Sequence, residues 1–179
     1  MSLVSNLFLL FVAAAVIVYY LVPARWQWLV LLGFSYIYYI AGGIKYVGFL
    51  LFSTLVTWMI ALLIEKEETA GKHKAARKFV ILGLILNFGM LGLIKYTNFA
   101  VENLNALFHM NLRGMEILLP LGISFYTFQS SGYILDVYWK RCKAEHNPLK
   151  YALFVSFFPQ ILQGPIGRYS RLAHQLYDS

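Results

Sequence analysis

Apolar residues run along this chain in long blocks parted by short polar breaks, the pattern of successive membrane spans. Residues 3–22 are almost unbroken apolar sequence, halted by Pro23 and Arg25. No lysine or arginine precedes Arg25, so the basic start of a signal peptide is missing and the block reads as a retained first span. Residues 26–40 form a second, short span with Trp26, Trp28, Tyr36, Tyr38 and Tyr39 at its ends and Gly42-Gly43 closing it. Residues 46–64 are the third and cleanest. Residues 65–78 mix Glu65, Glu67 and Glu68 with five basic residues and predict a hydrophilic loop. Residues 79–94 are the fourth span. Its Gly83, Gly89 and Gly92 either permit close helix approach or are ordinary residues of membrane helices. Residues 97–110 interleave Phe99, Leu104, Leu107 and Phe108 with Asn98, Glu102, Asn103 and Asn105, which predicts an amphipathic helix lying in the interface. Residues 118–139 are the fifth apolar segment. A short helix opens near Pro148, and Pro159 interrupts it after about half a bilayer.

Composition agrees with this reading. The chain is 60% hydrophobic and only 13% charged, where soluble domains are nearer a quarter charged. The expected fold is an all-α polytopic transmembrane bundle of about five spans, plus an interfacial helix and a broken or re-entrant segment. Without repeat, linker or low-complexity stretch, residues 1–179 read as a single membrane domain. The net charge of +7 does not point to nucleic acid, because the basic residues lie between apolar segments. Arg25, the basic residues of 65–78, Lys140, Arg141, Lys143 and Lys150 fall on one side, against Lys45, Lys95 and Arg113 on the other. By the positive-inside rule the first set faces the cytoplasm, the amino terminus lies outside, and the expected location is the cytoplasmic membrane. Cys142, the sole cysteine, excludes an internal disulfide. It stands beside a span end, where a thiol is open to acylation or remains free.

Two stretches carry candidate chemistry. Within residues 119–139, Gln129, Tyr133 and Asp136 stand at i, i+4 and i+7, one polar stripe on a helix that lipid cannot satisfy. Asp136 is an intramembrane acid, yet Lys140 four residues on offers an ordinary ion pair. Gln129 and Tyr133 either line a polar cavity or bond a neighbouring helix. Residues 157–169 hold Pro159, Pro165, Gly164 and Gly167 in a run that is still apolar. A regular helix is ruled out there, and a re-entrant or cavity-lining element is expected. His73, His109, His146 and His174 lie outside the apolar blocks, and no metal-ligand spacing or nucleophile motif occurs.

Leu119-Pro-Leu-Gly-Ile-Ser-Phe-Tyr-Thr-Phe-Gln-Ser, Asp136-Val-Tyr138, Tyr151-Ala-Leu-Phe-Val-Ser-Phe-Phe-Pro159 and Gly164-Pro-Ile-Gly-Arg-Tyr169 together resemble the membrane-bound O-acyltransferase (MBOAT) family, in its bacterial alginate O-acetylation branch. The resemblance implies transfer of an acyl group, acetyl in that branch, from a cytoplasmic thioester through a membrane tunnel to hydroxyls of an extracellular or cell-wall polysaccharide. It implies a donor such as acetyl-CoA or an acyl carrier thioester, and no bound cofactor or metal. The partners it implies are the lipid bilayer, the remainder of the acyltransferase and a periplasmic or cell-surface acetyl-transfer protein. The family's catalytic histidine follows a Ser-Phe-Trp type motif and ends a Trp-His pair. Neither motif occurs here, so no catalytic residue is assigned. Gln129, Tyr133, Asp136, Gly164, Pro165 and Arg168 are the positions that map, as substrate-tunnel candidates. The chain is thus expected to be the amino-terminal part of a longer enzyme, inactive alone. The alternatives are a non-catalytic subunit of the same descent and a transporter component, which would need a second broken helix.

Overall fold

Proline and glycine set the helix boundaries. The computed structural model describes residues 6–108 and 122–163, together with Tyr169 and Leu172. Helix α1 (Asn6–Leu21) gives way to Pro23, whose constrained φ of −54° leads into α2 (Ala24–Gly42). Gly43 ends α2 at φ 138°, a region closed to residues bearing a Cβ, while its N–H reaches the carbonyls of Tyr39 and Ile40. Helices α3 (Ile44–Thr69) and α4 (His73–Phe108) are joined by a tight turn through Gly71. Helices α5 (Ile123–Tyr138), α6 (Pro148–Ser156) and α7 (Phe158–Gln163) complete the described elements, all of them helical as expected.

Two boundaries differ from the sequence reading. Most of residues 65–78 belongs to the ends of α3 and α4, so the polar loop shrinks to the turn between them. The separate interfacial helix is absent, because α4 runs unbroken through that stretch to Phe108. No proline or glycine stands between Leu93 and Phe108 to stop it, and the Thr97 and Asn103 side chains fold back onto the carbonyls of Leu93 and Phe99. With 36 residues, α4 is about 54 Å long, well beyond a ~30 Å hydrocarbon core. Its polar end continues a helix whose His73–Thr97 part is long and apolar enough to cross a membrane.

Helices α3, α4 and α5 pack on one another. Helix α2 packs against α1, α3 and α6, and α6 is wedged between α2, α3 and α5. The core where they meet includes Ile60, Ile64, Tyr126, Tyr133, Tyr151 and Phe154. Gly83 of α4 serves close packing, since a Cβ there would lie 2.7 Å from Ile134 Cδ1 and 3.1 Å from Ile60 Cγ2. Gly89 and Gly92 meet nothing and have no such role. A polar clasp reinforces the α3–α4 seam. Asn87 donates to the Thr57 hydroxyl at 3.0 Å and accepts from Ser53 at 2.9 Å.

The outer surface is apolar. Phe52, Leu55 and Met59 of α3 and Ile81, Leu82 and Ile85 of α4 are exposed. Val47–Thr69 and His73–Thr97 are each long and apolar enough to cross a membrane, yet only 39% and 22% of their most apolar windows is buried within the protein. A soluble domain would bury such helices in its core. The chain is therefore a membrane protein.

Candidate functional site

The site is organised by the break between α6 and α7. Asn147 caps α6 by accepting the Leu149 N–H at 3.0 Å, and Pro148 fills the first turn, as its sequence position implies. Pro159 then has no N–H for the carbonyl of Val155, and its ring would clash with that carbonyl in a continuing helix. The chain turns at Phe157 and resumes as α7. In place of the helical bond between them, the Phe158 N–H reaches the Ser35 hydroxyl of α2 at 3.4 Å and the Phe154 carbonyl accepts from Gln129 Nε2 of α5 at 3.1 Å. A broken helix inside an apolar protein is thus satisfied by side chains of its neighbours. Pro159 lies in the first turn of α7, so the interruption expected at Pro159 falls two residues earlier.

Gln129 also reaches Gln160 of α7 at 3.3 Å. Tyr133, one turn on, stacks on Tyr151 with centroids 4.7 Å apart and lies against Phe154. Gln129 and Tyr133 therefore meet at α6. Asp136 does not join them. Helix α5 ends at Tyr138, and Lys140 takes a left-handed conformation at φ 58°. That turn carries Lys140 away to Glu68 of α3, at 3.3 Å, and brings Arg141 back onto Asp136, at 3.4 Å. The ion pair expected between Asp136 and Lys140 is replaced by these two. The candidates Gly164, Pro165 and Arg168 lie outside the described residues.

Helix α5 is enclosed on nearly every side rather than along one stripe. Tyr126, Thr127, Ser130 and Ser131 are buried as well as Gln129 and Tyr133, whereas Phe128 is exposed. Among the described residues, the oxygens of Tyr39 in α2, of Tyr126, Thr127 and Gln129 Oε1 in α5, and of Ser156 in α6 are buried without a hydrogen-bond partner. Sequence reasoning missed this wider polar interior, because serine, threonine and tyrosine are also common on lipid-facing or bonded helix faces.

The end of α3 and the turn after α5 border a separate, half-open cavity of about 530 Å³, lined by Glu65, Glu68, Lys140, Arg141, Cys142 and Lys143 among others. Glu68 accepts from His73 at 2.8 Å as well as from Lys140, and Glu65 accepts the Ala144 N–H at 3.0 Å. Burial pushes the Cys142 thiol up to about 12, and the carboxylates of Asp136 and Glu65 push it the same way. His73 and His146 are mostly exposed and paired with these acids. His109 and His174 lie outside the described residues.

Known proteins give this geometry a context. The chain is 38% identical to a probable alginate O-acetylase of Azotobacter vinelandii over 96% of its own length, and equally so to one of Pseudomonas aeruginosa. The chain is homologous to the alginate O-acetylases. A peptidoglycan O-acetyltransferase of Helicobacter pylori is 33% identical over 84% of the chain. The resemblance carried by the motifs at 119–138 and 151–169 is thereby upheld. The chain spans about a third of the length of these relatives, 35% of the Azotobacter protein and 32% of the Helicobacter one. No family model matches the chain, and no solved structure matches it.

Proposed function

We propose that this chain is the amino-terminal part of a membrane O-acyltransferase that moves an acetyl group from a cytoplasmic thioester to hydroxyls of an extracellular or cell-wall polysaccharide. The observation that carries the reading is similarity along 96% of the chain to alginate O-acetylases, together with similarity to a peptidoglycan O-acetyltransferase. The polymers differ, but both reactions named place acetyl on a polysaccharide.

In this reading Gln129, Tyr133 and the α6–α7 break form part of the wall of the acyl passage. Gln129 keeps the break closed, and the buried oxygens around it suit a polar thioester head better than a bare hydrocarbon. A histidine elsewhere in the complete enzyme serves as general base toward the acceptor hydroxyl. The basic residues gathered at the ends of α3 and α5 face the cytoplasm, where the donor arrives, and the amino terminus lies outside.

The chain alone supplies passage wall and no base, so it transfers nothing. Proteoliposomes holding residues 1–179, given a labelled acetyl thioester and alginate or peptidoglycan fragments, are expected to form no base-labile acetyl ester. Ester formation above the empty-liposome level would overturn this assignment of roles.

A further inference from the structure

The half-open cavity beside the turn after α5 carries more charge than its own ion pairs engage. Its lining brings Glu65, Glu68 and Thr69 from the end of α3 together with Val137 of α5 and Lys140, Arg141 and Lys143 of the turn. Lys140 is held by Glu68 at 3.3 Å and Arg141 by Asp136 at 3.4 Å. His73 contacts both carboxylate oxygens of Glu68, so that acid is fully engaged. Two charges are left over. Lys143 is exposed and pairs with no carboxylate among the described residues. Glu65 gives Oε1 to the Ala144 N–H at 3.0 Å, but its Oε2 meets only the mostly exposed His146, at 3.6 Å, too long for a hydrogen bond. Lys143 and Glu65 face one cavity of about 530 Å³, a size that suits a small ligand, and form no ion pair with each other.

The cavity also stands where a bilayer passes from hydrocarbon to headgroups. Val47–Thr69 is long and apolar enough to cross a membrane, and Glu65, Glu68 and Thr69 are in its last turns. Trp139, just before the lining residues of the turn, is exposed, with the Arg141 guanidinium 4.7 Å from its ring centroid. Tryptophan is the residue type that settles at headgroup level.

A ligand that satisfies both leftover groups must carry both signs, an anion for Lys143 and an N–H-bearing cation for Glu65. Arg141 assists with the anion, because a guanidinium has five N–H donors and the Asp136 contact occupies one of them. A nucleotide-linked thioester fits poorly, since its several phosphate charges would face the carboxylates of Glu65 and Glu68. Choline and glycerol headgroups bring the phosphate without an ammonium N–H for Glu65.

We propose that this cavity binds the zwitterionic phosphoethanolamine head of a membrane phospholipid, its phosphate on Lys143 and Arg141 and its ammonium on Glu65 Oε2. The site requires a membrane protein and is independent of the acyltransferase reading.

The test is native mass spectrometry of the detergent-purified protein titrated with phosphatidylethanolamine, phosphatidylcholine and phosphatidylglycerol of matched acyl chains. The first is expected to bind about ten-fold more tightly than either of the others. Equal binding of the three, or tightest binding of phosphatidylglycerol, would overturn the proposal, and this ranking needs no variant. Glu65→Gln, whose carbonyl still accepts the Ala144 N–H, should weaken phosphatidylethanolamine about ten-fold and bring it level with phosphatidylcholine. Lys143→Gln should weaken both of these lipids by a similar factor, since both present a phosphate. An unchanged preference in Glu65→Gln, or unchanged binding in Lys143→Gln, would also overturn it. Soluble phosphoethanolamine, lacking acyl chains, is expected to displace the lipid only at about a hundred-fold higher concentration. Displacement at equal concentration would overturn the membrane source and make the ligand a soluble zwitterion.

Discussion

Gln129 shows how one residue ties sequence to site. It is buried beside the break between α6 and α7, and its amide is spent on the Phe154 carbonyl that α6 cannot satisfy for itself. Gln129→Leu keeps the bulk but leaves that carbonyl without its donor, a loss of about 1–3 kcal/mol. Thermal unfolding in detergent is expected to begin several degrees lower; an unaltered transition would mean that the break is satisfied by other means. Cys142 gives a second residue-scale test. With its thiol raised to about 12, little thiolate exists near neutrality. Maleimide should label native Cys142 at pH 7.5 on the order of 10³-fold more slowly than the unfolded chain, gaining rate as pH rises. Equally fast labelling of native and unfolded protein would contradict the burial that sets this shift. The residues legible in advance were those whose polarity clashes with a bilayer. Gln129 and Tyr133 stand out because they are polar within an apolar run.

Among the elements, the five apolar blocks each became a helix, two of them long and apolar enough to cross a membrane, because a helix in lipid must satisfy its own backbone and show carbon outward. The errors fell where that constraint stops acting. Beyond the hydrocarbon, nothing in composition tells a separate interfacial helix from the polar end of α4, and the lack of a breaker decides for continuity. The turn after α5 was missed for a similar reason. Helical spacing pairs Asp136 with Lys140 only if the helix continues, and it ends at Tyr138. The glycines of α4 separate by role. Gly83→Leu would push a side chain into Ile134 and Ile60, whereas Gly89→Ala adds a methyl group to open space and removes a weak helix former. Unfolding titrations are expected to find the first destabilised by more than about 2 kcal/mol and the second unchanged or improved by up to ~1 kcal/mol. Equal effects would argue that α4 does not approach α5 closely.

The whole molecule is a helical membrane protein whose exposed faces require lipid and whose interior gathers polar groups around a broken helix. Fold class and kinship were legible because both rest on long segments, the apolar blocks and the motifs at 119–138 and 151–169. The candidate site was legible in part. Gln129 and Tyr133 meet at α6, Asp136 belongs to the helix end, and the remaining three candidates lie outside the described residues. Kinship with polysaccharide O-acetylases over about a third of their length makes the central claim one of interchangeable parts. The most direct measurement replaces the matching third of the Azotobacter vinelandii acetylase with this chain and determines ester-linked acetyl on alginate from cells lacking their own enzyme. The account predicts that the chimaera restores acetyl ester and that the same chimaera carrying Gln129→Leu restores less. A chimaera that inserts into the membrane at normal levels and leaves alginate unacetylated would contradict it.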